Sequence, residues 1–318
     1  MSAPETLIAD RYRVISAFDD RPGQRVMRCR DAQDDRLVLL AEFPIGNPPA
    51  QQAAGTFAQQ LEAPGQPMLQ PLIAHFASQQ VYYLVCPDPG GQDVERALRS
   101  AGGPLREADL LPQVSELLSA LELLHSQHPP LFLGDPVAGD FWLTERGELR
   151  IIPFTLARPI GASPIAYRAP ELASSAVEPA PPSDIYAVTA LLYHVLTGYA
   201  PPTYDQIRAG TPLTGPRSLN PAMSPLVEQA LLRGLQQRDV NRYQTAREMR
   251  VAFETVPPRR CRPHQRPPFH RRCRHQHQSI RRLRYRQSRC RQMPNQRRML
   301  QRRRRPWRKT PRRWQMHQ

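Results

Sequence analysis

Leu133-Gly134-Asp135-Pro136-Val137-Ala138-Gly139-Asp140, then Ile151-Ile152-Pro153-Phe154-Thr155-Leu156-Ala157-Arg158, then Ala169-Pro170-Glu171 is the stretch that decides how the chain reads. It is a loop carrying two carboxylates, a short apolar run and a turn, and it lies between two strong helical signals. Upstream, Val114, Leu117, Leu118, Leu121 and Leu124 recur at i, i+3, i+4, i+7 and i+10, one face of a helix that ends at Leu124-His125. Downstream, Ile185, Val188, Leu191, Leu192 and Val195 mark a second helix, with Ser183 or Asp184 predicted as its cap and Gly198 as its stop. Leu226, Ala230 and Leu231 begin a third helix, and residues 244–253 read as a fourth.

Toward the N-terminus the period changes. Arg11-Tyr12-Arg13-Val14-Ile15-Ser16 and Arg25-Val26-Met27-Arg28-Cys29-Arg30 alternate polar and apolar residues, and Leu37-Val38-Leu39-Leu40 is a short buried-type run. Asp19, Asp20, Pro22 and Gly23, then Asp34 and Asp35, supply the turns of an antiparallel meander. Residues 53–62 are predicted as one short helix, stopped by Pro64-Gly65, and two further strands are expected at Leu69–Phe76 and Val81–Val85. Pro87-Asp88-Pro89-Gly90-Gly91 breaks the chain and reads as a hinge.

Charge is divided unevenly along the 318 residues. The formal net charge is +16, yet residues 256–318 hold 22 Arg, one Lys and no acidic group, which leaves 21 basic and 28 acidic groups in residues 1–255. The body is mildly acidic and the end polycationic. Lys309 is the one lysine in the sequence, so residues 1–255 contain none. Five cysteines without framework spacing suit a reducing cytoplasm. The absence of an 18-residue apolar run predicts no membrane segment in this chain, and the N-terminus carries no secretory pattern. Collagen, coiled-coil and disulfide-scaffold classes are excluded.

Residues 256–318 have too few apolar groups to bury a face and are expected to stay disordered. Their 23 cations would bind a polyanion, nucleic acid or an acidic surface, by counterion release. Trp307 and Trp314 could stack on single-stranded bases. Cys261, His264, His270 and Cys273 fit no usual zinc spacing. Arg, Gln, His and Pro are mostly encoded by codons beginning with C, so two origins stay open: a genuine basic tail, and a GC-rich gene read in a shifted frame.

Strand lobe, hinge and helical lobe in this order resemble a protein kinase, specifically the bacterial relatives of the eukaryotic Ser/Thr kinases. The resemblance runs over roughly residues 8–254. Leu133–Asp140 lines up with the catalytic loop H-R-D-x-x-x-x-N, Pro153-Phe154-Thr155 with D-F-G, and Ala169-Pro170-Glu171 is an intact A-P-E. Ser183-Asp184-Ile185-Tyr186, Leu196-Thr197-Gly198 and Asn241-Arg242-Tyr243 match the family's later helices. The implied fold is α+β and bilobal: a lead-in at 1–10, a small antiparallel β N-lobe at 11–88, a larger, mainly helical C-lobe at 89–255, and the Arg-rich end at 256–318.

A kinase must cradle a triphosphate, hold Mg²⁺ and position a hydroxyl nucleophile. The three positions of the glycine-rich turn hold Asp19, Arg21 and Gln24, whose side chains obstruct the close approach of backbone N–H groups to phosphate. Ala41 stands in the place of the strand lysine, and Gln60 or Glu62 in that of its helix glutamate. Arg21, Arg25 or Arg28 could bring charge, but a planar fork does not replace an ammonium. Pro153 replaces the metal-binding aspartate and Thr155 the following glycine, while Phe154 is read as core packing. Asp135 keeps the base position, Val137 replaces its helper lysine, and Asp140 takes the place of the metal-binding asparagine. Gly134 replaces the arginine that senses a phosphorylated activation segment, and Ser163 is the main hydroxyl of that segment, so no phospho-switch is expected.

Scaffold positions persist where the nucleotide positions are lost. Glu171 and Arg242 fit the family's buried ion pair, and Asp184 its helix-cap aspartate that anchors the catalytic-loop backbone. The resemblance therefore implies a cytoplasmic pseudokinase: a signalling scaffold or allosteric module for a protein partner, an active kinase or another signalling component. No metal site and no cofactor are expected. Mg-ATP enters under the alternative of a divergent active kinase that uses Asp135 as base. Polyanion binding through the basic end is the remaining alternative.

Overall fold

The computed structural model describes residues 7–21, 24–44, 67–157, 167–174 and 176–255. The helix expected at 53–62 with Gln60 and Glu62, the segment holding Ser163, and residues 256–318 with Cys261, His264, His270, Cys273, Trp307 and Trp314 lie outside them.

Six strands form one antiparallel sheet: β1 (Leu7–Ile8), β2 (Tyr12–Arg21), β3 (Gln24–Asp31), β4 (Leu37–Pro44), β5 (Ala74–Ser78) and β6 (Val81–Pro87), in the order β1-β2-β3-β4-β6-β5. Leu7 and Ile8, expected as lead-in, pair with Arg13 and Tyr12. The sheet curls far enough for Tyr12 of β2 to stack at 5.7 Å on Phe76 of the opposite edge strand β5, whose cross-strand neighbour Tyr83 stacks on it at 5.0 Å. Both faces are covered, which explains the unbroken apolar run on β4. Val38 and Leu40 join Met27, Cys29 and Val85 on one side, while Leu39 and Ala41 join Leu84 and Cys86 in the main core.

The strand expected at Leu69–Phe76 is divided. Pro71 has no N–H to give a ladder, and the chain before it crosses to the second lobe. There Ile151 donates its N–H to Met68 O at 2.7 Å and accepts from Gln70 N at 3.0 Å. The sheet strand starts only at Ala74.

The second lobe begins with β7 (Gln92–Asp93) and α1 (Val94–Ala101), a helix that periodicity did not signal; Asp93 caps it by accepting from Arg96 N. Then come α2 (Glu107–His125), β8 (Phe141–Leu143), β9 (Leu149–Ile151) and α3 (Pro181–Thr197), followed by α4 (Tyr204–Arg208), α5 (Pro216–Leu219), α6 (Pro225–Gly234) and α7 (Ala246–Glu254). Strands β7, β8 and β9 make a small antiparallel sheet.

α3 is the axis of this lobe. Fifteen of its 17 residues are buried, as a helix that is apolar nearly all round requires. Burial of each Leu, Ile or Val there contributes about 1.5–3 kcal/mol. The helix stops at Gly198, whose φ of +81° is the left-handed turn that favours glycine. Gly234 ends α6 hard against it: a Cβ there would lie 2.2 Å from Thr189 Oγ1.

The cap of α3 differs from expectation. Ala180 is the N-cap, because Pro181 and Pro182 enter the first turn, where their missing N–H groups cost nothing. Ser183 and Asp184 therefore lie inside the helix, and Asp184 is free to reach across to the neighbouring loop.

Candidate functional site

The cleft between the lobes is roofed by β2, β3 and β4. The backbones of Asp19, Arg21 and Gln24 lie in the β2–β3 strands, with Arg21 paired to Gln24, and their side chains are outside the described ones. Ala41, opposite Val26, is fully buried and presents only a methyl group. Arg25 lies 4.0 Å from Glu42 at the surface.

Arg28 turns into the cleft, but its charge is engaged there. Its Nη2 donates to Asp88 Oδ1 at 3.1 Å, and its guanidinium lies 5.3 Å from the Phe18 ring centre and 5.5 Å from that of Trp142. Phe18 and Trp142 meet edge to face at 5.4 Å. Arg96 covers Phe18 from the other lobe at 4.8 Å. The space left between Phe18 and Val26 above and Trp142, Ile152 and Phe154 below is of single-water size.

The hinge offers few donors. Pro87 and Pro89 have no N–H, Asp88 gives its own to Leu37 O at 3.1 Å, and Gly90 gives its own to Asp88 Oδ1 at 2.9 Å.

Beneath the cleft, Asp135 is 1% exposed. Arg168, the residue before Ala169-Pro170-Glu171, holds both its oxygens: Nε to Oδ1 at 3.0 Å and Nη2 to Oδ2 at 2.7 Å. Planar fork and planar carboxylate match, so the pair is strong and oriented. Asp140 is also buried, and its Oδ2 accepts from Val137 N at 2.7 Å, closing its own loop.

Pro153 is buried and supplies no ligand atom. Thr155 donates its hydroxyl to Leu133 O at 3.1 Å, and Ile152 N donates to Asp140 O at 2.7 Å, so the Pro153-Phe154-Thr155 segment is bonded to the Leu133–Asp140 loop. Phe154 packs in the core. Among the described residues no group of three or more His, Cys, Asp or Glu side chains is placed to hold a metal ion.

Asp184 anchors that loop. It accepts from Leu133 N at 3.0 Å and Gly134 N at 3.2 Å, and His125 Nε2 lies 2.8 Å from its Oδ2. Arg242, its side chain fully buried, is saturated with acceptors. Its Nη1 and Nη2 reach Glu171 at 2.8 and 2.7 Å, and further bonds go to the carbonyls of Gln236, Pro182 and Gln237. Burial pushes the Glu171 carboxyl up, but the Arg242 guanidinium and the Ser183 hydroxyl outweigh it and hold the group below the ordinary value. Tyr167 and His194 close the segment, with Oη 2.6 Å from Nδ1. Burial raises the Tyr167 phenol and lowers the His194 imidazole, which is therefore neutral near pH 7.

The structure thus brings Asp135, Asp140, Phe154, Thr155 and Asp184 to one loop cluster, and Glu171 to Arg242. Arg168, Trp142, Phe18 and Arg96 carry no signal in the sequence, and Asp88 reads there only as part of the hinge. The β-lobe, hinge and helical lobe, with the loop cluster under the cleft, define a protein-kinase fold.

The same fold appears in solved structures. The kinase domain of PknI from Mycobacterium tuberculosis superposes with a TM-score of 0.62 at 17% identity, over 80% of this chain and 99% of that one. PpkA-294 in its apo form gives 0.62 at 19% identity, over 79% and 99%. Among curated sequences, the serine/threonine-protein kinase PrkC of Bacillus subtilis is 24% identical over 196 residues. That alignment covers 55% of this chain but spans only 29% of PrkC. No protein-family model matches the chain. Fold and sequence are thus similar to those of bacterial eukaryotic-like Ser/Thr protein kinases. No helix among the described residues is long and apolar enough to cross a membrane.

Proposed function

We propose that this kinase-like domain is a pseudokinase: a signalling scaffold or allosteric binding module for a protein partner, such as an active kinase or its substrate, with little or no phosphotransfer. The observation that carries the reading is the pair between Asp135 and Arg168. A general base must aim a lone pair at the incoming hydroxyl proton. Here a guanidinium fork occupies one edge of the carboxylate, in a place closed to water.

The surrounding atoms support the same reading. Phosphoryl transfer needs cations on the phosphates and carboxylates on the metal. Ala41 and Pro153 supply neither, Asp140 is turned to Val137 N, and the charge of Arg28 goes to Asp88. What the fold does invest in is shape: the anchoring bonds of Asp184 and Arg242 keep the helical lobe and its loops rigid for docking.

The test is transfer of labelled phosphate from Mg-ATP to a generic acceptor protein, at salt high enough to suppress binding to the basic end. No transfer above that of Asp135→Asn is expected. Transfer that Asp135→Asn abolishes overturns the proposal in favour of a divergent kinase with Asp135 as base.

A further inference from the structure

Phe18, Arg28, Arg96 and Trp142 come from four separate segments, and one arrangement uses them all. Phe18 and Arg28 belong to the β-lobe, on strands β2 and β3. Trp142 and Arg96 belong to the helical lobe, on β8 and α1. Phe18, partly buried, meets Arg28, Arg96 and the edge of Trp142 at ring-centre distances of 5.3, 4.8 and 5.4 Å. Arg28 also lies on Trp142 and is fixed by Asp88 of the hinge, and Arg96 is fixed by Asp93 at 3.2 Å. Each cation is therefore held by a carboxylate and spends its face on an aromatic ring, an attraction that grows as water is removed.

We infer that this stack is an interlobe latch: Trp142 and Phe18 fill the place of a flat ligand between the lobes, and the two arginines hold the lobes shut around them. Trp142 is 2% exposed, and its indole Nε1 donates to Gly139 O at 3.0 Å, which fixes the ring against the loop below. Enzymes commonly close their lobes by binding substrate. This chain reaches the closed arrangement with its own side chains, so the surface it offers a partner does not wait on a nucleotide. The inference deepens the pseudokinase reading of the same cleft. Its readout is the accessibility of Trp142 rather than phosphate transfer, so the two can fail separately.

The test uses the full chain with Trp307→Phe and Trp314→Phe, which leaves Trp142 as its one tryptophan. Acrylamide quenching of its fluorescence is measured with and without adenosine. The neutral nucleoside is chosen because the 23 cations of residues 256–318 would collect ATP nonspecifically. The expected result is weak quenching, unchanged by millimolar adenosine, and a several-fold rise in Arg28→Ala while the thermal transition stays cooperative. If Arg28→Ala does not fold, Phe18→Leu, which keeps apolar volume but loses the ring, replaces it with the same expectation. Free quenching of Trp142 in the parent chain, saturable protection by adenosine, or unchanged quenching in the folded variant overturns the latch.

Discussion

Arg242→Met should be among the most destabilising single substitutions in the helical lobe. The arginine side chain is fully buried and makes two bonds to Glu171 and three to carbonyl oxygens. Methionine fills much of the same volume, so cavity formation is a small part of the cost. The large part is what stays behind: a half-buried Glu171 carboxylate left with the Ser183 hydroxyl and a backbone N–H, and three carbonyls that lose their guanidinium donor. Removing one side of a buried ion pair costs about 3–5 kcal/mol. Glu171 keeps some contact with water, which places the expected loss near the lower end, about 3 kcal/mol. For a domain of this size each kcal/mol lowers Tm by about 2–4 °C, so a drop of roughly 6–12 °C is expected. Thermal unfolding followed by circular dichroism measures it.

The same pair sets a pH signature. The Glu171 carboxyl titrates lower in the fold than in the unfolded chain, so its contribution is complete above about pH 5 and fades as pH falls through the folded value. The double variant Glu171→Gln/Arg242→Met should recover part of the loss, since no charge is then left unpaired. A Tm for Arg242→Met within about 2 °C of the parent, less than the shift for one kcal/mol, would refute the reasoning.

Arg168→Ala removes the fork from Asp135 and should cost about 3 kcal/mol, seen in urea unfolding, while leaving phosphotransfer absent. Ala41→Lys places an ammonium in a fully buried apolar position; unfolding should show a loss of several kcal/mol, and calorimetry no metal-dependent ATP binding. His194 titrates below its ordinary value because it is buried, so the unfolded chain takes up its proton first, and stability falls as pH drops through about 6.5. His194→Gln should flatten the Tm profile between about pH 7 and pH 5.5, read by scanning calorimetry.

What sequence conveys here follows from where the physics is local. The two-lobe order was readable because strands and helices bury faces with different periods, as β4 and α3 do. Asp184 and Glu171 were readable because their tasks, anchoring a loop backbone and meeting one arginine, attach to short motifs. The cap of α3 is not legible, since a Pro-Pro pair starts a helix without a side-chain acceptor and leaves no capping signature. The filling of the cleft was not legible at all. Phe18, Arg28, Arg96 and Trp142 share no spacing, and only the closed tertiary fold makes them neighbours. In sequence Arg28 reads as a candidate charge for phosphate, and nothing in its flanking residues announces that Asp88 takes it. Arg168 and Asp135 are likewise 33 positions apart.

Asp88 donates its backbone to Leu37, receives Gly90 and holds Arg28, so one residue ties the connector to both the roof strand and the aromatic stack. Under the pseudokinase proposal, a variant built to admit a purine would have to vacate the stack, free a connector amide and supply a cation and a carboxylate together. Each of those changes loosens the connector or the stack, so under the pseudokinase proposal the outer surface is the easier part of this chain to remodel.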